Sequence, residues 1–150
     1  MTASDPAATL VRLLHAVDQL NWAGVREAFA DDVRSDYTSL SGGAPQTGPA
    51  DDLIAQWRSL LPGFDATQHL LGAPLVSIDA DHATVDAHVR AHHWLNNAVW
   101  TVYGHYTCGL VNGPTGWRVA SLTLTVFHQD GASALAALAT ARAGRDPRPL

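Results

Sequence analysis

The sequence lacks the features that mark several large classes of protein. Among its 150 residues there is one cysteine, Cys108, so no disulfide can form within the chain. This suits a reducing compartment, and we expect a cytoplasmic protein. The first residues show no basic segment leading into an apolar one, and no stretch reaches the roughly 18 apolar residues of a transmembrane helix. Neither export by a standard signal nor membrane insertion is therefore predicted.

Charge is also sparse. Charged residues make up 15% of the chain, the net charge is −5, and there is no basic cluster, so no nucleic-acid partner is expected. A glycine-rich phosphate loop, a dinucleotide-binding motif and a serine nucleophile elbow are all missing, and we expect no cofactor. Cys108 lies in an apolar strand pattern, which favours a pocket-lining side chain over a nucleophile.

Hydrophobic residues, at 47% of the chain, are sufficient for one domain with a substantial core. In the first third of the chain, apolar residues recur every three or four positions, which predicts helices. The predicted helices cover residues 7–21, 22–30 and 49–61. An extended segment is predicted at 33–40, followed by a loop at 41–45.

From Thr67 onward the hydrophobic period changes to two, which is typical of β-strands. Three long strands are predicted over residues 83–95, 100–111 and 117–128. The composition of residues 112–116 predicts a turn between the last two strands. A short helix at about 132–142 and a frayed tail from residue 145 complete the chain.

Helices that precede a meander of strands indicate a single α+β domain over residues 1–150, with its core at about 8–128. Long strands that bury one face need a cover, and the early helices are the available one. We therefore predict a cone-shaped roll in which the N-terminal helices pack in a strongly curved antiparallel sheet with an incompletely filled interior. The outer face would carry Trp94 and Tyr103, a composition suited to a homodimer or homotrimer interface.

Three polar residues interrupt apolar patterns. Val11, Leu14 and Asp18 are spaced by three and then four residues, which places Asp18 at or beside the apolar stripe of the first helix. His93 continues the apolar face of the strand predicted at 83–95, and His69 lies at the start of an earlier strand, just after Thr67. Each has an ordinary explanation, since Asp18 could reach solvent and a histidine could be a satisfied core residue. Together they suggest a shared interior site, because a buried carboxylate needs a partner and perturbed titrating groups concentrate in active sites.

A metal site formed by His88, His92 and His93 conflicts with strand geometry. Residues four apart on a strand are separated by about 13 Å, and adjacent residues point to opposite faces. No metal is therefore expected. His88 and His92 are predicted to face away from the helices.

Five short segments carry a resemblance to the SnoaL-like branch of the nuclear transport factor 2-like superfamily. They are residues 21–22 (NW), 32–37 (DVRSDY), 67–69 (TQH), 89–93 (VRAHH) and 116–119 (GWRV). The resemblance spans roughly residues 8–128. It implies a cystatin-like roll whose pocket takes a small organic molecule, and its functional likeness is to scytalone dehydratase, which eliminates water from a hydroxylated cyclic ketone without a cofactor.

Carried over on these segments, the resemblance implies that the catalytic residues are Asp18, His69, His93 and Tyr37. Val17 stands where the family has a second tyrosine, and two further substrate-contacting polar positions are apolar here, so a more apolar pocket and a different substrate are implied. The residues expected to line the pocket are Val17, Leu40, Trp57, Ala91, Tyr106, Cys108 and Leu110.

This set of residues suits general acid–base chemistry beside a carbonyl. Asp18 would accept a hydrogen bond from His93, either His69 or His93 would move the proton, and Tyr37 would donate to the enolate oxygen. The expected reaction is a dehydration, an isomerisation or a polyketide-type cyclisation of a small, largely apolar carbonyl compound. A non-catalytic module that binds a small hydrophobic molecule and a structural, dimer-forming domain are the alternatives. A cavity beside a paired Asp18 would distinguish them.

Overall fold

Two helices at the N-terminus form the layer that covers the sheet. The computed structural model describes residues 5–149. Helix α1 (Pro6–Asp18) begins after Asp5, and α2 (Trp22–Ala28) begins after Asn21; both preceding residues cap the helix by accepting a backbone N–H. Leu20 reverses the chain between the helices with a left-handed φ of 54°, and this reversal leaves the end of α1 facing the sheet.

The next elements differ in their bounds from the sequence prediction. They are β1 (Phe29–Asp36), α3 (Thr38–Ser41), β2 (Gln46–Pro49), α4 (Ala50–Arg58) and a 3₁₀ turn (Leu61–Gly63). The second helix ends before residue 30 because Phe29 is extended and fully buried. The extended segment ends at Asp36, whose carboxylate accepts both the backbone N–H and the hydroxyl of Thr38 and so favours a turn. The predicted loop at 41–45 gives way to an edge strand from Gln46.

Five more strands and a helix follow. These are β3 (Ala66–Leu71), β4 (Leu75–Asp79), β5 (His82–Leu95), β6 (Ala98–Gly113), β7 (Gly116–Gly131) and α5 (Leu135–Ala143). The strand order is β2-β1-β7-β6-β5-β3, and β4 also pairs with β5. The predicted α+β roll with a strongly curved sheet is confirmed. The sheet was predicted as antiparallel and is mixed, because β1 runs parallel to β7. Hydrophobic periodicity indicates which face a residue takes and carries no information on the direction of the neighbouring strand.

Strand β5 has the predicted phase. Val85, Val89 and His93 face the helices, while His88 is exposed on the outer face and His92 lies on that face half-buried. A two-residue turn of Asn96 and Asn97, both with positive φ, joins β5 to β6. Two register shifts between β6 and β7 increase the local twist of the sheet, and they help it curve around the helices.

The C-terminal segment closes one end of the roll. Helix α5 packs on the 3₁₀ turn so closely that a Cβ on Gly63 would lie 1.7 Å from the carbonyl oxygen of Ala139. Beyond it, the backbone N–H of Arg148 donates to the carbonyl of Pro62 at 2.8 Å, so the tail predicted to fray is held against the body at this residue. Within residues 5–149, no helix is long and apolar enough to span a membrane.

Candidate functional site

A cavity of about 690 Å³ lies between the helices and the concave face of the sheet. Five residues predicted to line the pocket do line it, namely Val17, Leu40, Trp57, Ala91 and Tyr106. Cys108 and Leu110 do not, because both are buried in the hydrophobic core where packed side chains fill the space over the sheet. Burial raises the pKa of the Cys108 thiol to about 12.

The wall of this cavity carries no Asp, Glu, Lys or Arg among the described residues. Its mouth is rimmed by neutral polar side chains, including Gln46, Gln56, Gln129 and Thr140. The interior is largely aliphatic and aromatic, and its titratable groups are two histidines and two tyrosines. Such a surface can bind an uncharged, mostly apolar molecule with little desolvation of charge.

His69 and Asp18 form a hydrogen-bonded pair at the cavity wall. Asp18 is the last residue of α1, and β3 brings Thr67 and His69 against it. Nδ1 of His69 lies 2.7 Å from Oδ1 of Asp18, and the backbone N–H of His69 donates to Oδ2 at 2.8 Å. The hydroxyl of Thr67 also donates to Oδ1, at 3.1 Å. His69 lines the cavity, whereas Asp18 lies behind it.

These contacts determine the protonation of the pair. Burial alone raises the pKa of Asp18, but the hydrogen bonds and charge of His69, together with the bond from Thr67, outweigh it and hold the pKa below its usual value. Asp18 is therefore a carboxylate at neutral pH, and it only accepts hydrogen bonds. Nδ1 of His69 must carry a proton, which leaves the lone pair of a neutral imidazole on Nε2.

The predicted hydrogen bond between Asp18 and His93 is wrong. Nδ1 of His93 donates instead to the carbonyl of Trp100 at 3.0 Å, and the imidazole lies between the rings of Trp100 and Phe64. Burial lowers the pKa of His93 to about 4, although its bond to the carbonyl of Trp100 acts in the opposite direction. Asp18 pairs with His69 and not with His93 because α1 ends beside β3, the edge strand that carries His69. His93 lies one strand further into the sheet.

The two imidazoles nevertheless share the cavity wall. The ring centroids of His69 and His93 are 6.2 Å apart, and the rings are nearly perpendicular. His93 is neutral near pH 7, with its proton on Nδ1 and its Nε2 available as an acceptor. The site therefore pairs one carboxylate-linked imidazole with one apolar-buried imidazole.

Two phenols lie at another part of the wall. The hydroxyl oxygens of Tyr37 and Tyr106 are 3.4 Å apart, which joins the residue after β1 to the middle of β6. Burial, followed by the nearness of the other phenol, raises the pKa of Tyr37 well above its usual value, and burial raises the pKa of Tyr106 to about 12. Both phenols are therefore neutral hydrogen-bond donors. The sequence indicated Tyr106 only as a wall residue, because its phase on β6 places it inside but does not show its neighbour.

Comparison with known proteins gives one family match and many similar structures. The model of the SnoaL-like domain matches residues 7–123. Among solved structures, the Kfla4162 protein from Kribbella flavida is 32% identical, with 89% of this chain and 93% of that chain covered and a TM-score of 0.81. Among curated proteins, no sequence matches the chain significantly.

Two more distant structures share the fold. A candidate scytalone dehydratase from Novosphingobium aromaticivorans is 15% identical, with 84% of each chain covered and a TM-score of 0.71. The hexachlorocyclohexane dehydrochlorinase LinA type 2 is 18% identical, with 85% of this chain and 88% of that chain covered and a TM-score of 0.67. At these identities the likeness concerns the fold alone.

Proposed function

This chain belongs to the SnoaL-like domain family, and we propose that it is a cofactor-independent enzyme that uses general acid–base chemistry on a small, uncharged carbonyl compound. The reaction is an elimination of water or an isomerisation next to the carbonyl, and the same groups would serve a polyketide-type cyclisation. The observation that carries this proposal is the Asp18–His69 pair on the wall of an apolar cavity of about 690 Å³.

His69 is the base. Its Nε2 takes a proton from the carbon beside the substrate carbonyl, and the carbonyl becomes an enolate. Asp18 stabilises the imidazolium that forms, since the carboxylate already accepts Nδ1–H at 2.7 Å. In an elimination, the same Nε2 returns its proton to the departing hydroxyl, the carbon–oxygen bond breaks, and water leaves without any change of oxidation state. A well-placed general base contributes about 100- to 10,000-fold.

Tyr37 and Tyr106 stabilise the enolate oxygen. Because burial keeps both phenols protonated, each can donate a hydrogen bond to the charge that develops on that oxygen. The 3.4 Å separation of their oxygens allows both to donate to one acceptor that lies to the side of the pair, about 2.7 Å from each oxygen. Tyr106 thereby supplies a second phenol where Val17 of α1 cannot.

His93 orients the substrate rather than removing the proton. With a pKa of about 4, its Nε2 is a weak base near neutral pH, but it accepts a hydrogen bond from a substrate hydroxyl. This assignment gives the two histidines different tasks. It revises the expectation that either of them could act as the base.

The proposal is tested by hydrogen exchange at carbon. Purified protein in D₂O is incubated with a panel of uncharged cyclic ketones and β-hydroxyketones, and deuterium uptake and loss of water are followed by mass spectrometry. We expect exchange or dehydration with at least one compound, and a rate lower by about 100-fold or more in His69→Gln. His88→Gln is the matched control, because His88 is exposed on the outer face of the same sheet.

A non-catalytic binding module is the second candidate, since the cavity is large and apolar and His93 is a weak base. The same experiment separates the two functions. Compounds that bind with micromolar affinity, but exchange no faster with the wild type than with His69→Gln, would move the binding module to first place.

A further inference from the structure

The C-terminal tail places an arginine behind the Asp18–His69 pair. Helix α5 is tied to the start of β3 by an ion pair between Arg142 and Asp65. Six residues further on, the backbone N–H of Arg148 donates to the carbonyl of Pro62 at 2.8 Å. These two attachments bring the side chain of Arg148 to the beginning of β3, beside Thr67.

The guanidinium of Arg148 continues the hydrogen-bond chain of the site. Its Nη2 lies 3.4 Å from Oγ1 of Thr67, and the same oxygen donates to Oδ1 of Asp18 at 3.1 Å. A hydroxyl has one proton, so Thr67 accepts from Arg148 and donates to Asp18 without conflict. The chain of contacts therefore runs from Arg148 through Thr67 and Asp18 to His69.

The hydrogen bonds of the Arg148 side chain are only partly satisfied there. Its Nε is buried and, among residues 5–149, has no hydrogen-bond partner. Burial also lowers the pKa of Arg148, whereas the charges of Asp18 and Asp65 raise it. A half-buried cation with an unpaired N–H is unfavourable unless a nearby charge offsets its desolvation.

Among the titratable groups around His69, Asp18 is the one whose negative charge Arg148 can offset. Asp18 approaches from α1 and His93 from β5, and His93 is neutral near pH 7. Asp65 stands at the start of β3, but it is engaged by Arg142. Within residues 5–149, Arg148 is the cation that is connected to the Asp18–His69 pair by hydrogen bonds, through Thr67.

We propose that Arg148 is a positioning residue whose charge, placed behind Thr67 and Asp18, weakens the grip of the Asp18 carboxylate on a protonated His69. A base that returns its proton to a leaving group must bind that proton strongly enough to take it and weakly enough to give it back. The cation at the far side of Asp18 favours release of the proton from His69. This role rests in part on the proposed function, but the electrostatic coupling does not depend on turnover.

The test is an NMR titration of the imidazole of His69, with its signals identified by their loss in His69→Gln. Arg148→Met keeps the apolar stem and removes the charge, so we expect the titration midpoint of His69 to move to higher pH by about half a unit or more. Arg148→Lys keeps the charge and should stay near the wild-type midpoint. Arg145→Met is the matched control, because Arg145 is an exposed arginine of the same tail.

Each outcome of this titration decides the proposal. An unchanged midpoint in folded Arg148→Met overturns it, as does an equal shift in Arg148→Met and Arg148→Lys, which would indicate a purely structural tail. Circular dichroism and the melting temperature establish that each variant is folded, and Arg148→Gln replaces Arg148→Met if the latter is not. A shifted midpoint in a protein that turns over none of the ketone panel would support the coupling and reject the proposed enzyme.

Discussion

Asp18 holds His69 at two points, since one carboxylate oxygen accepts the backbone N–H at 2.8 Å and the other accepts ring Nδ1 at 2.7 Å. The first bond fixes the end of α1 to β3, and the second fixes the tautomer of the imidazole. Position and protonation of the proposed base therefore depend on the same side chain. The exposed Asp130–His128 contact on the outer face has the ring bond at 2.8 Å but joins residues two apart on one strand.

Asp18→Asn should separate these two effects. The amide can still accept the backbone N–H through its oxygen, but its NH₂ group faces Nδ1 and favours the tautomer with the proton on Nε2. We expect a rate of exchange or dehydration lower by about 100-fold or more, and ¹⁵N NMR should show the altered tautomer of His69. Asp130→Asn is the control and should leave the rate unchanged. Wild-type activity in Asp18→Asn would contradict the role given to His69.

Tyr106→Phe should lower the rate with little change in stability, because it removes a hydroxyl at the cavity wall and no packing volume. Loss of one donor to a developing oxyanion costs about 100- to 1,000-fold in well-studied sites. Tyr37→Phe should behave similarly, and the double variant should lose less than the product of the two, since both donors serve one oxygen. Tyr103→Phe on the outer face is the control. Equal effects of Tyr103→Phe and Tyr106→Phe on the rate would reject the two-phenol assignment.

The sequence predicted the helical layer and the inward phase of β5, and it pointed to Asp18, His69 and His93 as candidate interior residues, because each of these depends on the period of a single element. Tyr37 was indicated by the family resemblance alone. The partner of Asp18 was predicted wrongly. That pairing depends on which strand lies at the edge beside the end of α1, and strand order leaves no signal in periodicity.

The contact between Tyr37 and Tyr106 could not be predicted from the sequence for a related reason. The two residues are 69 positions apart, and their meeting depends on the curvature of the sheet between β1 and β6. Cys108 and Leu110 share the inward phase of Tyr106 yet lie in the filled core. Phase indicates the inner face, and only the packing of the helices determines where on that face the cavity lies.

The burial of His93 should appear as a pH dependence of stability. Unfolded His93 binds a proton near pH 6.5 and folded His93 only near pH 4, so the unfolded state binds more protons between these values. Above pH 6.5 His93 is neutral in both states and its burial costs no stability. Protonation of His93 in the unfolded state lowers the free energy of unfolding by at most about 3 kcal/mol as the pH drops from 6.5 to 4. Asp18, whose pKa is lowered, adds a further loss only at more acidic pH.

Denaturant titrations of the wild type and His93→Asn between pH 4 and 7 measure this effect. The variant should be less stable at pH 7, but its stability should fall less steeply with acid. His88→Asn is the control and should keep the wild-type slope, because His88 is exposed. An identical slope in the wild type and His93→Asn would contradict the lowered pKa of His93.

Self-association through the outer face of the sheet stays a prediction. Phe127 and Val99 are exposed there, and Trp94 is 36% exposed. Large apolar groups at such a surface are typical of interfaces. Light scattering during size-exclusion chromatography at tens of micromolar should give a dimer or trimer mass, and Phe127→Ser should lower it. A monomer mass for the wild type under these conditions would contradict the prediction.

The uncharged wall of the cavity should make it discriminate between two dyes that differ by one charge. N-Phenyl-1-naphthylamine is neutral, and its 8-sulfonate derivative is an anion of similar shape. Among residues 5–149 no Arg or Lys lines the wall, so a buried sulfonate would stay unpaired. The carboxylate of Asp18 behind the wall would repel it further. We expect fluorescence titrations to give about tenfold or more tighter binding of the neutral dye, a difference of about 1.4 kcal/mol. Ala91 lies beside His69 on the cavity wall, as its register partner on the neighbouring strand, so Ala91→Phe fills this part of the cavity and should abolish binding. Thr84→Phe, at an exposed position of the same strand, should not. Equal affinity for the two dyes, both lost in Ala91→Phe, would mean that the cavity accepts anions and that the substrate need not be uncharged.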